Sequence, residues 1–406
     1  MPERRVVATG IGVISALGRD RNEFEQSLRA GRSGIAPITS VDCSSLRFAN
    51  GAEVRDFDPL AHFEQKHADL MDRFTYFGMI AAREAVADAG IEWTPTLRER
   101  TGIVTGSCLG GRVAEHKVLA ELNTNGRARA HPFSIPRAMD NAAASQISIE
   151  TGVTGPVFTI STACSSANHA IGHAFHMVRH GMADLAIAGG SESPFTPGHL
   201  KMWEAIRAVS PDTCRPFSKD RRGMILGEGG AMIVLESLDA ALARGATIYG
   251  EVVGFGMSAD AHHITQPSAL GAARAMRAAL ADASIRPEQV TYINAHGTGT
   301  AANDPMEVAA IRDVFGGHAD RLAVSATKSM HGHALGASGA FEAAATLLAL
   351  RSGILPPTAN FTEADPACDL DVIPNVARES EVEYALSNSF AFGGLNAVLA
   401  FRRWAA

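Results

Sequence analysis

The chain has 406 residues, too many for one simple core, so we expect two large domains or one domain built from two similar halves. A net charge of −7 without a basic block leaves no electrostatic footprint for nucleic acid, and no apolar run is long enough to span a bilayer. The charged start is not typical of a signal peptide, and five scattered cysteines without a CxxC pair indicate reduced thiols in the cytoplasm.

Three segments of the first half have counterparts, in the same order, in the second half. The clearest pair consists of amphipathic helices, "AAREAVADAGI" and "AMRAALADASI", each followed by a β-branched run that ends in a glycine-containing loop. Chance explains one alanine-rich match, but three matches in one order indicate duplication. We therefore predict an α/β protein of two related halves, residues 1–245 and 246–406, with sheets covered on both faces. The pairs are residues 6–18 with 251–260, 81–91 with 275–285, and 159–181 with 324–353.

The segment "STACSSANHA" (161–170) places Cys164 between a strand end and a helix. A cysteine near a helix N-terminus lies at the positive end of the helix dipole, so we expect a lowered thiol pKa and an exposed sulfur. The small neighbours Ala163 and Ser165 leave room for close backbone approach. A buried structural cysteine explains this segment equally well, so the segment alone leaves both interpretations open.

A histidine-bearing loop, "NAHGTGTAANDPMEV" (294–308), follows a strand in the second half. His296 precedes glycines that allow tight turns. Asp304 is expected to cap the next helix, and Glu307 is either its capping-box partner or a buried carboxylate that orients the loop. In such folds, ligands bind where strands end and helices begin, so this loop is a candidate site.

The segment "SATKSMHGHALGASGA" (325–340) places a lysine close to two histidines at a similar strand-to-helix turn. Lys328 is an unusual residue for a plain turn rich in glycine and alanine. We expect His331 to face solvent and His333 to face the site. One histidine on a helix face is equally consistent with a hydrogen-bonded core residue.

Near the C-terminus, "SNSFAFGGLN" (387–396) sets Phe390 and Phe392 before two glycines in a strand-like run. Glycines at this position favour close approach of the backbone to a ligand, and the aromatic is either core or a movable gate. We expect no metal site, because the adjacent histidines of "DAHHIT" (260–265) cannot easily face one ion and no Cys/His cluster occurs elsewhere.

Taken together, "TACSSA", "NAHGTGT", "TKSMHGHALGASG" and "FAFGGLN" resemble, in order and spacing, the thiolase-fold condensing enzymes. The chain is most similar to the elongating β-ketoacyl-acyl-carrier-protein synthases of type II fatty-acid and polyketide synthesis. The resemblance covers nearly the whole chain and implies a dimer with a five-layer αβαβα fold of duplicated halves. It also implies decarboxylative condensation of malonyl carrier with a cysteine-bound acyl chain, without metal or organic cofactor.

The same resemblance assigns roles to residues. Cys164, His296 and His333 are implied as the catalytic set, with Lys328 and Glu307 as the supporting pair that fixes histidine orientation and protonation. Backbone N–H groups of Cys164 and Phe392 are implied as the oxyanion hole. Phe392 is the implied gate, with hinge freedom supplied by Gly393 and Gly394.

Further positions are implied for the acyl pocket and for carrier docking. Leu109 matches the pocket floor, and Trp203 stands where a phenylalanine commonly lines the pocket. Phe133 and Ser134 fall in a segment that crosses the dimer interface, and Ser134 replaces a bulky aromatic, which lengthens or reshapes the pocket. Leu395 replaces a usual threonine beside the gate. The segment 65–74 is poor in the basic residues expected for docking an acidic carrier, so the docking candidates are Lys66, Arg73, Arg127, Arg129 and Arg207.

Several alternatives stay open. The chain is either a homodimeric synthase or the catalytic subunit of a heterodimer with a non-catalytic chain-length partner. The weak docking segment reflects ordinary surface variation or a dedicated carrier from a polyene, polyketide or nodulation-type lipid pathway. A thiolase would need a second catalytic cysteine, and Cys368 lies in a loop-like segment that does not fit.

Overall fold

A computed structural model describes residues 3–124 and 129–405 and divides them into two similar series of strands and helices. The first series is β1 Val6–Ser15, α1 Arg21–Arg29, β2 Ala36–Pro37, β3 Asn50–Gly51, α2 Gln65–Ala68, α3 Arg73–Asp88, α4 Pro95–Glu99, β4 Thr101–Gly106, α5 Arg112–Asn123, α6 Ser134–Ala138, α7 Ala142–Thr151, β5 Val157–Ile160, α8 Ser166–Arg179, β6 Leu185–Glu192, α9 Pro197–Ile206, β7 Gly229–Ser237 and α10 Leu238–Ala243. The second is β8 Gly250–Ala259, α11 Ala269–Asp282, β9 Val290–Asn294, α12 Asn303–Phe315, β10 Ala323–Ser325, α13 Lys328–His331, α14 Ser338–Ser352, β11 Ile354–Leu355, β12 Arg378–Glu379, β13 Tyr384–Ala391 and β14 Leu395–Arg402.

The strand order confirms the predicted duplication. In chain order within each half, the five main strands lie 3-2-4-5-1, as β5-β4-β6-β7-β1 in the first half and β10-β9-β13-β14-β8 in the second. Strands two, three and four of each half are parallel, and the fifth is antiparallel to both of its neighbours. The halves join where Val6–Ala8 of β1 pair with residues 250–252 of β8. The division at residue 245 stays a prediction.

The ten main strands form one sheet, and helices cover both of its halves and fill the space between them. Helices α3 and α7 pack on the outer face of the first half, and α11 packs on the outer face of the second with α12 beside it. Helices α8 and α14 contact each other and strands of both halves, so they form the central layer of an αβαβα arrangement. Helix α14 is buried from Ser338 to Leu350, which explains why it is apolar on all sides. No helix in the described ranges combines the length and apolar character needed to cross a membrane.

Small residues set the distance between the sheets and the central helices. A Cβ built on Gly106, at the end of β4, would lie 2.5 Å from the backbone N of Ala167 at the start of α8. Any larger residue would push α8 away from the sheet. The abundance of glycine and alanine in the sequence therefore serves the close packing that brings several strand ends to one site.

Candidate active site

Cys164 lies in a short turn between β5 and α8. Ala163, just before it, has a φ of +51°, a left-handed conformation that non-glycine residues rarely adopt. Local hydrogen bonds stabilise the turn: Ser165 Oγ donates to the Thr162 carbonyl over 2.9 Å, and Thr162 N donates to Ser166 Oγ over 2.9 Å. The turn therefore presents the cysteine at a defined position beside the helix N-terminus.

The expectation of an exposed, acidified thiol is wrong. Cys164 is only 7% exposed, and burial raises its pKa to about 11. The nearby ammonium of Lys328 and the backbone N–H groups of Phe392 and of Cys164 itself act in the opposite direction but do not outweigh burial. The thiol is therefore protonated at neutral pH, and the two N–H groups that the sequence assigned to an oxyanion hole both point to the sulfur.

His296 follows β9 and is held on two sides. Its backbone N and that of Gly297 donate to the two carboxylate oxygens of Glu307, each over 2.8 Å. Its ring Nδ1 lies 3.1 Å from Nζ of Lys328. Because a lysine ammonium only donates, Nδ1 accepts and the ring proton is on Nε2. Burial and the Lys328 charge hold the pKa of His296 well below its usual value, so the ring is neutral.

His333 is also a neutral Nε2–H imidazole. Leu335 N donates to its Nδ1 over 3.1 Å, and Ser338 Oγ lies 2.8 Å from the same atom, so Nδ1 carries a lone pair. Burial and Lys328 hold its pKa well below the usual value. The rings of His296 and His333 lie 5.4 Å apart at 85°, and both line one cavity. The free donor of each ring, Nε2–H, is therefore available to a bound ligand.

Lys328 forms an ion pair with Glu342, while Lys328 and Glu307 each contact His296 from a different side. The Lys328 ammonium donates to Glu342 Oε1, to the His296 carbonyl over 2.7 Å and to His296 Nδ1 over 3.1 Å, which uses all three of its protons. Glu342 comes from the middle of α14 and is fully buried. Glu307 is occupied by the backbone N–H groups of the His296 loop, so its geometry is that of an orienting carboxylate.

Two other local predictions are wrong. His331 is 1% exposed and does not face solvent, because its Nδ1 contacts the Gly332 carbonyl and its Nε2 contacts Thr327 Oγ1. Asp304 does not cap α12, whose cap position is Ala302. Its buried carboxylate instead accepts from the backbone N of Phe217 over 2.8 Å and of Gly299 over 3.1 Å.

A cavity of about 220 Å³ opens onto Cys164, His296 and His333. The β13–β14 turn forms one wall, where Phe392 precedes Gly393 and Gly394, both of which have positive φ. The ring of Phe392 stacks on Trp203 with a centroid distance of 6.1 Å. Leu395 begins β14 directly after these glycines. The remaining lining residues are mostly apolar or come from the loop after β8: Ile206, Ala208, Met224, His263, Ile264, Thr265, Gln266, Pro267, Thr298, Thr300, Ala302, Asn303, Phe390 and Ala391.

Of the four residues assigned to the acyl pocket, only Trp203 lines this cavity. Leu109 is half-buried and packs behind the wall in an apolar cluster that includes Trp203 and Met224. Phe133, which is 48% exposed, and Ser134 lie on the protein surface at the start of α6, away from the cavity of their own chain. Helix α6 belongs to the segment between β4 and β5, and its C-terminal end packs on Gly111 while Phe133 and Ile135 are exposed.

The docking candidates are spread over the surface, and one of them is not available. Arg73 forms an ion pair with buried Glu228 and donates to the Val54 carbonyl, so it stabilises the fold. Lys66 is exposed and pairs with Glu64 over 3.2 Å. Arg129 is exposed, Arg207 is exposed next to Ile206 at the cavity mouth, and Arg127 lies outside the described residues.

Three contributors to the site were missed by sequence reasoning: Glu342, Ser338 and Asn388. Asn388 Nδ2 donates to Glu307 Oε1 over 3.1 Å and so supports the His296 loop. A signal existed for Glu342, since it is the one acidic residue in the apolar helix "SGAFEAAATLLALRS". An acidic residue in a helix that is apolar on all sides indicates a buried partner.

Known proteins share this arrangement along their whole length. Residues 3–241 match the family described as "Beta-ketoacyl synthase, N-terminal domain", and residues 249–362 match "Beta-ketoacyl synthase, C-terminal domain". Nodulation protein E of Rhizobium sp. (strain N33) is 50% identical over 401 residues, which are 99% of this chain and 100% of that protein. The 3-oxoacyl-(acyl-carrier-protein) synthase 2 of Coxiella burnetii (strain RSA 493 / Nine Mile phase I) is 46% identical and covers 99% of each chain.

The solved structure of the ishigamide ketosynthase/chain length factor superposes with a TM-score of 0.95 at 40% identity and covers 99% of this chain and 100% of that chain. The matched family spans both duplicated halves, and the strand ends of both halves supply the buried cysteine and the two neutral histidines of the cavity. The chain therefore belongs to the β-ketoacyl synthase family.

Proposed function

We propose that the chain is a β-ketoacyl-acyl-carrier-protein synthase that elongates a cysteine-bound acyl chain by decarboxylative condensation with malonyl carrier. The observation that carries this proposal is the cavity in which a thiol, Cys164, meets the Nε2–H donors of His296 and His333. A nucleophile suits the first step of such a reaction, and two neutral hydrogen-bond donors suit the second. The proposed steps use only groups of this chain and the two carrier-bound substrates.

In the first step, Cys164 Sγ attacks the thioester carbonyl of the acyl carrier. The backbone N–H groups of Cys164 and Phe392 hold the developing oxyanion. The sulfur–carbonyl bond forms as the bond to the carrier thiol breaks, and the thiol proton of Cys164 ends on that leaving thiol. Because burial keeps Cys164 protonated at rest, thiolate forms as part of the attack.

In the second step, malonyl carrier enters and its thioester carbonyl accepts hydrogen bonds from Nε2–H of His296 and His333. Carbon dioxide leaves, and the electron pair of the broken bond becomes an enolate stabilised by these two donors. The enolate carbon attacks the acyl-Cys164 carbonyl, and the carbon–sulfur bond breaks, which releases the 3-oxoacyl carrier and the Cys164 thiolate. The thiolate takes up a proton from solvent and so returns to the thiol. Neutral imidazoles suit this role because each keeps its proton while it donates.

The charged residues beneath the cavity hold the two donors in place. Lys328, neutralised by Glu342, donates to Nδ1 of His296 and so keeps the proton on Nε2. Glu307 fixes the backbone of the same histidine from the opposite side. We assign Lys328, Glu342 and Glu307 as positioning residues, because none of them lines the cavity.

Access to Cys164 is proposed to be gated by Phe392. Gly393 and Gly394, with φ values of +83° and +68°, adopt a conformation that glycine tolerates without strain. A turn built from two such residues supports a swing of the preceding phenylalanine between substrates. The ring of Trp203 is the surface on which Phe392 rests when the gate is closed.

A second chain is proposed to complete the acyl pocket. The surface that carries Phe133 and Ser134 also exposes Ile135 (71%), Met139 (48%) and Phe158 (39%), and Phe158 lies on the edge strand β5. An exposed apolar surface next to an open sheet edge is typical of an interface. Ser134→Phe is expected to shorten the preferred acyl chain of the partner's pocket, and an unchanged chain-length profile would contradict this role.

The carrier is proposed to approach over Arg207, which adjoins the cavity mouth, with Lys66, Arg129 and Arg127 as weaker candidates. An acidic carrier is drawn to such cations with an attraction that salt screens. The cytoplasm is the proposed location, because five cysteines without a CxxC pair are typical of reduced thiols. The division into a cysteine-bearing half, residues 1–245, and a histidine-bearing half, residues 246–406, belongs to the same proposal.

A second candidate is the catalytic subunit of a heterodimer. The likeness to a ketosynthase/chain length factor structure and the exposed apolar edge of this chain both favour it. The likeness to Nodulation protein E and to 3-oxoacyl-(acyl-carrier-protein) synthase 2 leaves two pathways, a specialised lipid and ordinary fatty acids. Purification of the chain alone, followed by measurement of its oligomeric state and condensing activity, separates the homodimer from the heterodimer.

The condensing activity is tested by incubating the protein with acyl carriers of different chain length and locating the acyl group by peptide mass spectrometry. We expect an adduct on Cys164 and, after malonyl carrier is added, a 3-oxoacyl product. Cys368→Ala is the matched control, because this cysteine lies in a remote loop and its removal is expected to change neither result. Absence of a Cys164 adduct with every acyl chain would refute the proposed function.

A further inference from the structure

Glu192, the last residue of β6, has a buried carboxylate that the proposed reaction does not use. The side chain is fully buried and accepts four hydrogen bonds. Its Oε1 accepts from Ser107 Oγ over 3.0 Å and from Leu109 N over 3.3 Å. Its Oε2 accepts from Cys108 N over 2.8 Å and from Gly336 N over 3.2 Å. One carboxylate thereby joins the loop after β4 to the loop that follows His333.

No cation accounts for this placement. Within residues 3–124 and 129–405, no lysine, arginine or histidine forms an ion pair with Glu192. Burial without a counter-ion is costly and raises the pKa of this carboxyl to about 7. The four N–H and O–H donors are what hold it, so the carboxylate is placed to organise backbone and not to neutralise charge.

Both loops that Glu192 joins carry the wall of the acyl cavity. Leu109 and Leu335 belong to one apolar cluster with Trp203 and Met224, and the last two line the cavity. Leu109 N donates directly to Glu192, while Leu335 directly precedes the donor Gly336. A shift of either loop would therefore move the wall behind Trp203.

The second half of the chain holds the equivalent loop in the same way, although its carboxylate comes from α12 and not from β13, the counterpart of β6. After β9, which occupies the place of β4 in the duplicated strand order, Glu307 accepts the consecutive N–H groups of His296 and Gly297. After β4, Glu192 accepts the consecutive N–H groups of Cys108 and Leu109. In the second half the carboxylate positions a catalytic histidine, so the loop that Glu192 holds has a functional place to occupy as well.

We propose that Glu192 is a positioning residue that sets the depth of the acyl pocket, by fixing Leu109 and the Leu335–Gly336 loop to one carboxylate. This inference rests on the proposed condensing function. The chemical class it concerns is the saturated or unsaturated acyl chain bound at Cys164, whose far end meets the wall that Glu192 holds.

Glu192→Gln keeps the size of the side chain but replaces one acceptor oxygen by an NH₂ group. That group faces either the Cys108 and Gly336 N–H groups or the Leu109 N–H group and the Ser107 hydroxyl. The hydroxyl can turn to accept, but in either orientation at least one backbone N–H loses its acceptor and meets a donor. The two loops then separate, and the wall no longer holds a fixed depth. A pocket discriminates by about tenfold or more for a mismatched methylene, so loss of a fixed wall flattens the preference between chain lengths.

The test measures the rate of Cys164 acylation by S-acyl-N-acetylcysteamine thioesters with even-numbered chains from four to sixteen carbons. These probes carry the end of the carrier's arm and avoid any dependence on carrier docking. For Glu192→Gln we expect the ratio of rates between the best chain and one two carbons longer to fall by about tenfold. Acylation of Cys164 itself is expected to persist.

The matched control is Glu84→Gln. Glu84 on α3 is a half-buried carboxylate that accepts from the backbone N–H groups of Val13 and Arg21, and neither these residues nor their chain neighbours line the cavity or belong to the apolar cluster behind it. We expect its chain-length profile to match that of the unmodified protein. Ser107→Ala removes one donor to Glu192 and is expected to produce a smaller shift in the same direction.

The outcomes separate the two proposals. If the unmodified protein forms no Cys164 adduct with any chain, the proposed function fails whatever the variants do. Suppose that the unmodified protein is acylated and that both variants fold. If Glu192→Gln and Ser107→Ala then change the ratio of acylation rates between chain lengths by less than twofold, the proposed role of Glu192 is overturned. If Glu192→Gln does not fold, the result for Ser107→Ala decides: a shifted profile supports the role, and an unchanged one overturns it.

Discussion

The two halves of the molecule end their second strands in loops that are held alike and used differently. In the first half, Glu192 holds Cys108 and Leu109, and the loop packs behind the apolar wall of the cavity. In the second half, Glu307 holds His296 and Gly297, and the loop contributes a hydrogen-bond donor to the cavity. The two loops correspond in the duplicated fold, but their carboxylates come from different elements, β6 and α12, so each half holds its loop with a residue of its own.

The turns after the third strands differ more. Five residues separate β5 from α8, and the cysteine lies in that short, strained turn. Twelve residues separate β10 from α14, which leaves room for α13 and for the buried Lys328. The short turn places one atom beside a helix N-terminus, whereas the long turn builds a charged support beneath two imidazoles. In the proposed reaction, the first half thus supplies the nucleophile, and the second half supplies the hydrogen-bond donors and the Lys328 charge that positions them.

The largest effect is expected from removing the buried ammonium of Lys328, which supports the histidines of the second half. Lys328→Met leaves Glu342 buried without its partner and His296 without a donor to Nδ1. We expect the free energy of unfolding, measured in urea, to fall by about 3–5 kcal/mol and condensation to be lost. The double variant Lys328→Met/Glu342→Met is expected to recover most of the stability but no condensation. Stability equal to that of the unmodified protein in the single variant would contradict the role of this ion pair.

The two carboxylates provide a sharper comparison. Glu307→Gln disturbs the His296 loop, and we expect malonyl decarboxylation to slow by about a hundredfold, as for a misplaced catalytic group. Acylation of Cys164 and its chain-length profile are expected to stay unchanged. Glu192→Gln is expected to alter mainly the chain-length profile, and the control Glu84→Gln is expected to alter neither the profile nor decarboxylation. If Glu307→Gln changed the profile and spared decarboxylation, the assignment of separate tasks to the two halves would be wrong.

The pH dependence of alkylation tests whether burial or the helix N-terminus dominates the pKa of the Cys164 thiol. Since burial raises the pKa of Cys164 to about 11, the thiolate fraction grows about tenfold per pH unit throughout the range below that value. Alkylation of Cys164 by iodoacetamide, followed by peptide mass spectrometry, is therefore expected to accelerate from pH 7 to pH 10 without levelling off. Free glutathione, the control, levels off above about pH 9. A plateau for Cys164 below pH 8 would show a preformed thiolate instead.

The smallest effect is expected where the halves meet at the gate. Trp203→Leu removes the ring on which Phe392 rests, and aromatic pairs contribute about 0.5–1.5 kcal/mol. We expect water to hydrolyse the acyl-Cys164 adduct about two- to tenfold faster, because the gate opens more often. Trp203→Phe keeps an aromatic surface and serves as the control. Equal hydrolysis rates in all three proteins would remove Trp203 from the gate.

Prediction from the sequence was accurate where it depended on periodicity and repetition. The matched segments 81–91 and 275–285 form the C-terminal parts of α3 and α11, which end at Asp88 and Asp282, and the same strand order recurs in both halves. Prediction was incomplete where a charge needed a partner. The sequence named no partner for the charge of Lys328, and the structure supplies Glu342, fourteen residues further along and one turn into a buried helix.

The sequence by itself singled out Cys164, His296 and His333, because each follows a strand-like run in a segment of small residues, and the joint resemblance of four segments to condensing enzymes predicts their catalytic roles. It also determined that the chain forms two alike α/β halves. Only the tertiary structure decided the protonation of the site. Whether a thiol is ionised or an imidazole neutral depends on how much water and which charges surround it, and these are brought together from residues more than a hundred positions apart.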